Sequence, residues 1–296
     1  MFEDIGYGAA DGIATITFRR PEVMNAARSQ THGELIRALD LAEADDAVRV
    51  VIVTGAGRAF CAGTDLSAGF DLPADGDPAT GAGVVPDIGG VTVLRLYRMQ
   101  KPVIAAINGA AAGFGLTFTL AMDLRLAARG AKFAFPFTRR GICAESCSSW
   151  FLPRVVGIQT AQDWMLTGRT FAAEEALARG LVHDLLAPED LLPRARAIAA
   201  EIVGQTAPAS VALNRQLLWR MMGASHPAEA HALESRAVAA TLAASDSREG
   251  VASFHERRPP RFTGRVADAG YMAAWWPELP GGEAPADVDP TVGQMD

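Results

Sequence analysis

Apolar and polar residues alternate from Ile13 to Phe18, and the alternation stops at Arg19-Arg20-Pro21, the pattern of a strand closed by a turn. From Ser29 to Ala44 the period lengthens: Leu35, Ile36, Leu39 and Ala42 share one helical face. Arg49 to Thr54 is dominated by β-branched residues and reads as a buried strand running into a glycine-rich turn. Further on, the pattern predicts a helix over Val91 to Met99, a strand over Pro102 to Ile107 and a helix opening at Gly113 and reaching Met122. Short strands follow at Asp123 to Ala128 and Lys132 to Phe135. Alternating strand and helix implies an α/β layer. Between Ser67 and Gly90 the chain is rich in Gly, Pro, Asp and Ala without periodicity, which predicts a mobile loop in the position of a lid.

After Glu145 the pattern turns helical, over 146–152, 158–166, 172–179, 188–205, 208–222, 227–244 and 247–256. Pro188, Pro208 and Pro227 suit first helical turns. From Arg257 the chain is Pro/Gly-rich and acidic, with one aromatic knot at Tyr271 to Trp276 and a solvated tail over its final stretch. No internal repeat stands out.

Composition narrows the classes. With 296 residues the chain can bury a large core. A formal charge of −7 argues against a nucleic-acid surface, which needs clustered Lys and Arg. The acidic start Met1-Phe2-Glu3-Asp4 lacks the apolar core of a secretory signal, and the apolar run from Val103 to Ala112 is too short to span a membrane. The 3 cysteines, Cys61, Cys143 and Cys147, form no CxxC pair, so the expectation is reduced, structural thiols in a cytoplasmic protein.

Two glycine-punctuated turns and one acid carry the candidate chemistry. The first turn runs from Gly55 through Ala62, Gly63 and Thr64 to Leu66; the second runs from Asn108 through Gly113 and Phe114 to Thr117. Each follows an apolar run and precedes a helix-like segment. Two backbone N–H groups converging there can hold the negative oxygen of an enolate, and the carboxylate of Glu145 can move a proton. Other chemistries fit less well. Gly55-Ala56-Gly57 has Phe60 where a dinucleotide fingerprint needs its third glycine. No G-x-S-x-G elbow marks a serine hydrolase. The 5 histidines, His32, His183, His226, His231 and His255, have no metal-ligand spacing and read as exposed or capping residues, so no metal is expected.

Arg58-Ala59-Phe60-Cys61-Ala62-Gly63-Thr64-Asp65-Leu66 resembles the first signature of the crotonase (enoyl-CoA hydratase/isomerase) superfamily. Lys101 to Gly109, followed by Gly113-Phe114-Gly115, resembles the second. Leu166-Thr167-Gly168, Gly180-Leu181-Val182 and the stretch from Ser247 to Pro259 are similar to its later motifs, so the resemblance spans about residues 10 to 262. It implies an α/β fold, a crotonase-like spiral of ββα units followed by a helical C-terminal trimerisation region. We accordingly divide the chain into a spiral core over 1–200, a helical domain over 201–262 and an extension over 263–296.

The resemblance also implies an acyl-CoA substrate, no cofactor beyond the CoA of that substrate, and a homotrimer or hexamer. It places the oxyanion-hole donors on the backbone of Thr64 and Phe114, the adenine near the backbone of Ala62, and Gly63 among the substrate-binding residues. Gly113 completes the second turn. Phe137 and Trp150 either pack the core or shape an acyl pocket. Where hydratases of the family carry two glutamates, this chain has Thr117 and Phe137. The segment from Ala144 to Pro153 is instead similar to that of Δ3,Δ2-enoyl-CoA isomerases, whose single acid matches Glu145. If a second acid is needed, the loop's Asp71, Asp75, Asp77 and Asp87 are the suppliers nearest in sequence. A plainer role for Glu145 is a carboxylate at the N-terminus of a helix begun by Ser146. Asp65 is expected to cap a helix, Asp123 to hold a helix-to-strand junction, and Arg257 and Arg258 to be solvated or to meet a CoA phosphate.

Overall fold

The computed structural model describes residues 2–67, 77 and 79–276. Most of the expected loop between Ser67 and Pro78, with Asp71 and Asp75, lies outside the described residues, as does the tail from 277 onward.

In chain order the strands are β1 (Ile5–Ala10), β2 (Ile13–Phe18), β3 (Val50–Gly55), β4 (Ala59–Cys61), β5 (Val103–Ile107), β6 (Ala110–Ala112), β7 (Leu124–Ala128), β8 (Lys132–Ala134), β9 (Thr170–Ala172) and β10 (Asp184–Leu186). The helices are α1 (Ser29–Ala44), α2 (Ile88–Arg98), α3 (Phe114–Thr117), α4 (Ser148–Val156), α5 (Ile158–Thr167), α6 (Ala173–Ala178), α7 (Pro188–Gln205), α8 (Pro208–Met221), α9 (Pro227–Ala243) and α10 (Ser245–Glu256). β1 and β2 form an antiparallel hairpin whose two-residue turn, Asp11-Gly12, takes positive φ at both positions. The large sheet has the order β1-β2-β3-β5-β7-β10, and a second sheet has the order β4-β6-β8-β9.

This order describes a spiral. Each of three successive turns gives one strand to the large sheet and the next to the small one, β3 then β4, β5 then β6, β7 then β8. Parallel pairing stacks the turns, with Val51 opposite Val103, Ile104 opposite Leu124, and Ala111 opposite Phe133. β5 and the stretch from Val50 to Val53 of β3 are unbroken apolar runs because both faces are covered. Val51 and Val53 join the main core with Phe18, Phe60, Phe118 and Leu35, while Val50 and Ile52 pack with Leu191, Ala195 and Ala199 of α7.

The C-terminal helices keep a separate cluster, in which Leu213 and Leu217 of α8 meet Ala237, Val266 and Met272. Asp123 ties this cluster to the spiral: its carboxylate accepts hydrogen bonds from the Val103 N–H at 2.7 Å, Arg215 Nε at 2.8 Å and Trp219 Nε1 at 2.8 Å. Leu218, Val238, Leu242, Val251 and Phe254 stand exposed on α8, α9 and α10.

Three local expectations change. The segment after Gly113 is a single α-turn continued as a 3-10 turn over Phe118–Ala121, not one helix to Met122. The helix expected from Ser146 starts at Ser148, since Ser146 and Cys147 take left-handed conformations with φ of 54° each. Asp65 accepts the Ser67 N–H and pairs with Arg20 at 3.0 Å, and no helix begins behind it among the described residues.

Candidate active site

β4 and β6 lie side by side, and the chain leaves both through glycine. Gly63 has φ of 104°; Gly113 has φ of 50° with ψ of −128°, a region that side-chain-bearing residues avoid. The two turns touch. A Cβ added to Gly113 would stand 3.8 Å from Gly63 Cα, and one added to Gly63 would meet the Ala112 carbonyl oxygen at 2.9 Å.

The residues after these glycines are Thr64 and Phe114. Ala27 donates its N–H to the Gly63 carbonyl and accepts the Asp65 N–H, both at 2.8 Å. In that bridge the N–H of Thr64 itself faces the opposite side. Phe114 opens α3, where the Gly113 carbonyl accepts the N–H groups of Leu116 and Thr117. The Phe114 N–H, at the first helical position, has no intrahelical acceptor. Two N–H groups thus follow two touching glycines.

His32 packs beneath this corner, its ring 4.2 Å from that of Phe114, centroid to centroid. This corrects the expectation that every histidine is exposed or capping; only 3% of His32 is exposed. Burial pushes its pKa down to about 4, so the imidazole is neutral. Thr92 donates its hydroxyl to the Ile88 carbonyl at 2.9 Å, so the 3.0 Å contact with His32 Nδ1 has the imidazole as donor.

Glu145 is joined to the Phe114 turn by Thr117. The Thr117 hydroxyl, one turn along from Phe114, donates to Glu145 Oε1 at 2.6 Å. Ser146 Oγ donates to the other oxygen, Oε2. Burial pushes the Glu145 carboxyl up to about 7; the bonds from Ser146 and Thr117 oppose the rise, and the charge of Asp87 adds to it. The backbone carbonyl of Glu145 accepts both the N–H and the hydroxyl of Ser148, at 2.9 and 2.6 Å. Glu145 is therefore not at a helix terminus. It precedes a left-handed pair that separates it from α4.

Gly63, Thr64, Gly113, Phe114 and Glu145 come together through these contacts. Ala62 sits beside them, its N–H donated to the Met24 carbonyl at 3.0 Å. Phe137 is buried in the main core. Trp150 packs on Phe151 at 4.7 Å and Tyr97 at 5.9 Å, with the Arg154 guanidinium 4.1 Å over its face. Cys61 is fully buried, with its thiol pushed up to about 12 by burial. Neither Ser146 nor Thr117 is legible in the sequence as a donor to Glu145. Among the described residues no three His, Cys, Asp or Glu side chains are grouped to hold a metal ion, and no helix is long and apolar enough to cross a membrane.

A two-sheet spiral with a glycine-lined corner at the ends of adjacent turns is the crotonase fold. The comparisons agree and are more specific. Residues 8–265 match the family model described as enoyl-CoA hydratase/isomerase, and the chain belongs to that family. It is 39% identical over 254 residues to the enoyl-CoA hydratase ACTT3 of Alternaria alternata, covering 86% of this chain and 83% of that one. It is 34% identical over 280 residues to the 1,2-epoxyphenylacetyl-CoA isomerase of Escherichia coli K12, covering 90% and 100%. The solved enoyl-CoA hydratase of Bacillus anthracis superposes with a TM-score of 0.80 at 29% identity, covering 88% of this chain and all of that one.

Proposed function

We propose that the protein moves the double bond of a 3-enoyl-CoA into conjugation, giving the 2-enoyl-CoA. The N–H groups of Thr64 and Phe114 bind the thioester oxygen. Glu145 takes a proton from C2, and the negative charge spreads onto that oxygen as an enolate. The same carboxyl returns the proton at C4, the C2–C3 bond becomes double and the enolate charge is discharged. A carboxyl poised near neutrality suits both halves, as base when ionised and acid when protonated. No cofactor takes part beyond the CoA of the substrate, and we infer that the working form is a homotrimer or hexamer.

The observation that supports this reading is that the Glu145 carboxylate is held by Thr117 and Ser146 beside the Phe114 turn. A hydratase of this family needs two, and Thr117, at one of those places, instead fixes Glu145. Among the described residues Asp87 is the acid that comes near, but its two oxygens already accept three backbone N–H groups. Hydration of a 2-enoyl-CoA is the second reading, favoured by relatives named as hydratases. Turnover on a panel of 2- and 3-enoyl-CoAs separates them. On a 3-enoyl-CoA, Glu145→Gln should lose at least about 10²-fold in turnover with product affinity nearly unchanged. Intact turnover in a folded Glu145→Gln would overturn the assignment. Binding of CoA thioesters with no turnover of either class would mark a silent CoA-binding protein.

A further inference from the structure

The turn that carries Glu145 is unusual in its backbone. Ser146 and Cys147 are consecutive non-glycine residues at φ of 54°, neither of them Asn or Asp. Side-chain-bearing residues avoid this region, so the pair persists only where surrounding contacts hold it. One restraint comes from within, the bonds from Ser148 to the Glu145 carbonyl. The other comes from 59 residues away: Ser146 donates its N–H to Asp87 Oδ2 at 2.6 Å. The same carboxylate caps α2, accepting the Gly89 N–H at 3.0 Å and the Gly90 N–H at 2.9 Å.

The cap also brings α2 against the base. A Cβ added to Gly89 would overlap Ser146 Oγ and Glu145 Oε2, so the carboxylate of Glu145 rests on the first turn of α2. Asp87 therefore fixes two things at once, the start of α2 and the turn that presses Glu145 against it.

We propose that Asp87 is the positioning residue for Glu145, its carboxylate clamping the Ser146 N–H to the first turn of α2 so that the base stays on its left-handed turn. The inference rests on Glu145 as the base. It assigns Asp87 no proton of its own to transfer.

The titratable groups around Glu145 come from three directions. α2 contributes Asp87 at its cap, β4 contributes Cys61, and its own turn contributes Cys147. α3 contributes Thr117, which is uncharged. Burial raises both thiols, Cys61 to about 12, so both are neutral in working conditions. Asp87 is then the one charge that moves with the clamp, and its removal lets Glu145 ionise at lower pH.

The test uses a saturated acyl-CoA in D2O, where deprotonation at C2 and return of deuterium are read by NMR whether the natural reaction is isomerisation or hydration. Carboxyl-13C glutamate, assigned by its loss in Glu145→Gln, reports the Glu145 midpoint directly. Asp87→Ala should reduce the exchange plateau by about 10–100-fold, since misplacing a base by an ångström costs that much. It should also move the acid limb and the carboxyl midpoint to lower pH. Asp87→Asn, which keeps an acceptor for one or two of the three N–H groups, should lose less rate and still move the midpoint down. A residue that only stabilised the fold would lower the plateau without moving the limb. A wild-type plateau in Asp87→Ala would overturn the proposal even with the midpoint moved, because loss of the charge alone moves the midpoint. Exchange retained in Glu145→Gln would instead remove the base assignment, and the carboxyl midpoint would still judge the hold of Asp87.

Discussion

Glu145→Gln should make the protein more stable while making it inactive, and the gain should depend on pH. The native carboxyl sits at about 7 against an ordinary value of 4.5. Above 7 the folded protein must keep a desolvated charge that the unfolded chain solvates freely, so ionised Glu145 is destabilising. The sign follows from a raised acid pKa: wild-type stability increases as pH falls through 7 and levels off below 4.5. A displacement of about 2.5 in pKa is worth ~3.4 kcal/mol at most, with roughly three quarters of it appearing between about pH 8.5 and about pH 5. Glu145 is only partly shielded from solvent, which trims the expected change to about 1–2 kcal/mol. Glutamine keeps an acceptor for Thr117 and does not titrate. Urea unfolding of wild type and variant across that range should show the variant's relative advantage shrinking by about 1–2 kcal/mol toward pH 5. A difference that is flat with pH, or that grows in the variant's favour as pH falls, would refute the desolvated carboxyl.

Gly113→Ala places a side chain at φ 50°, ψ −128° and displaces the Phe114 N–H; turnover should fall about 10²–10³-fold, with the circular dichroism spectrum kept. Thr117→Val removes the donor to Glu145 Oε1, so the acid limb of kcat/KM should move to higher pH and the plateau should fall about tenfold in a pH–rate profile. The exposed Leu218, Leu242 and Phe254 should be covered in a trimer or hexamer; light scattering at micromolar concentration should report one, and Leu218→Glu with Leu242→Glu should shift it toward monomer.

Long periodic segments were legible. α1 and α7 occupy the spans read from the sequence, because amphipathic spacing and a proline start are local signals. β3 and β5 were legible because burial on both faces demands an unbroken apolar run. The three-residue strands β4, β6, β9 and β10 are too short to show a period, and their partners lie in other turns of the spiral. β1 is not legible because Gly6, Gly8, Ala9 and Ala10 leave Ile5 as its one β-branched residue. At the site, the glycine turns and Glu145 stand out as local patterns. The contacts of Asp87 with Ser146 and of His32 with Phe114 do not, because each pairs residues that only the fold brings together. The start of α4 differs for the same reason: the left-handed Ser146 is held by the tertiary bond from its N–H to Asp87, not by its own preference.

The two ends of the site are made of different material. The corner we propose for the thioester oxygen is main chain, set by Gly63 and Gly113 packed against each other. The acid is a side chain on a turn secured by hydroxyls and one carboxylate. Substitutions at 64 or 114 change a side chain and leave the amide in place, so the carbonyl-gripping half tolerates sequence drift while its geometry stays fixed. Under the proposed function, substitutions at 117, 145 or 146 alter the chemistry and leave the main-chain corner intact. A lineage built this way can exchange one reaction for another by editing a few side chains on a turn, without having to learn again how to hold its substrate.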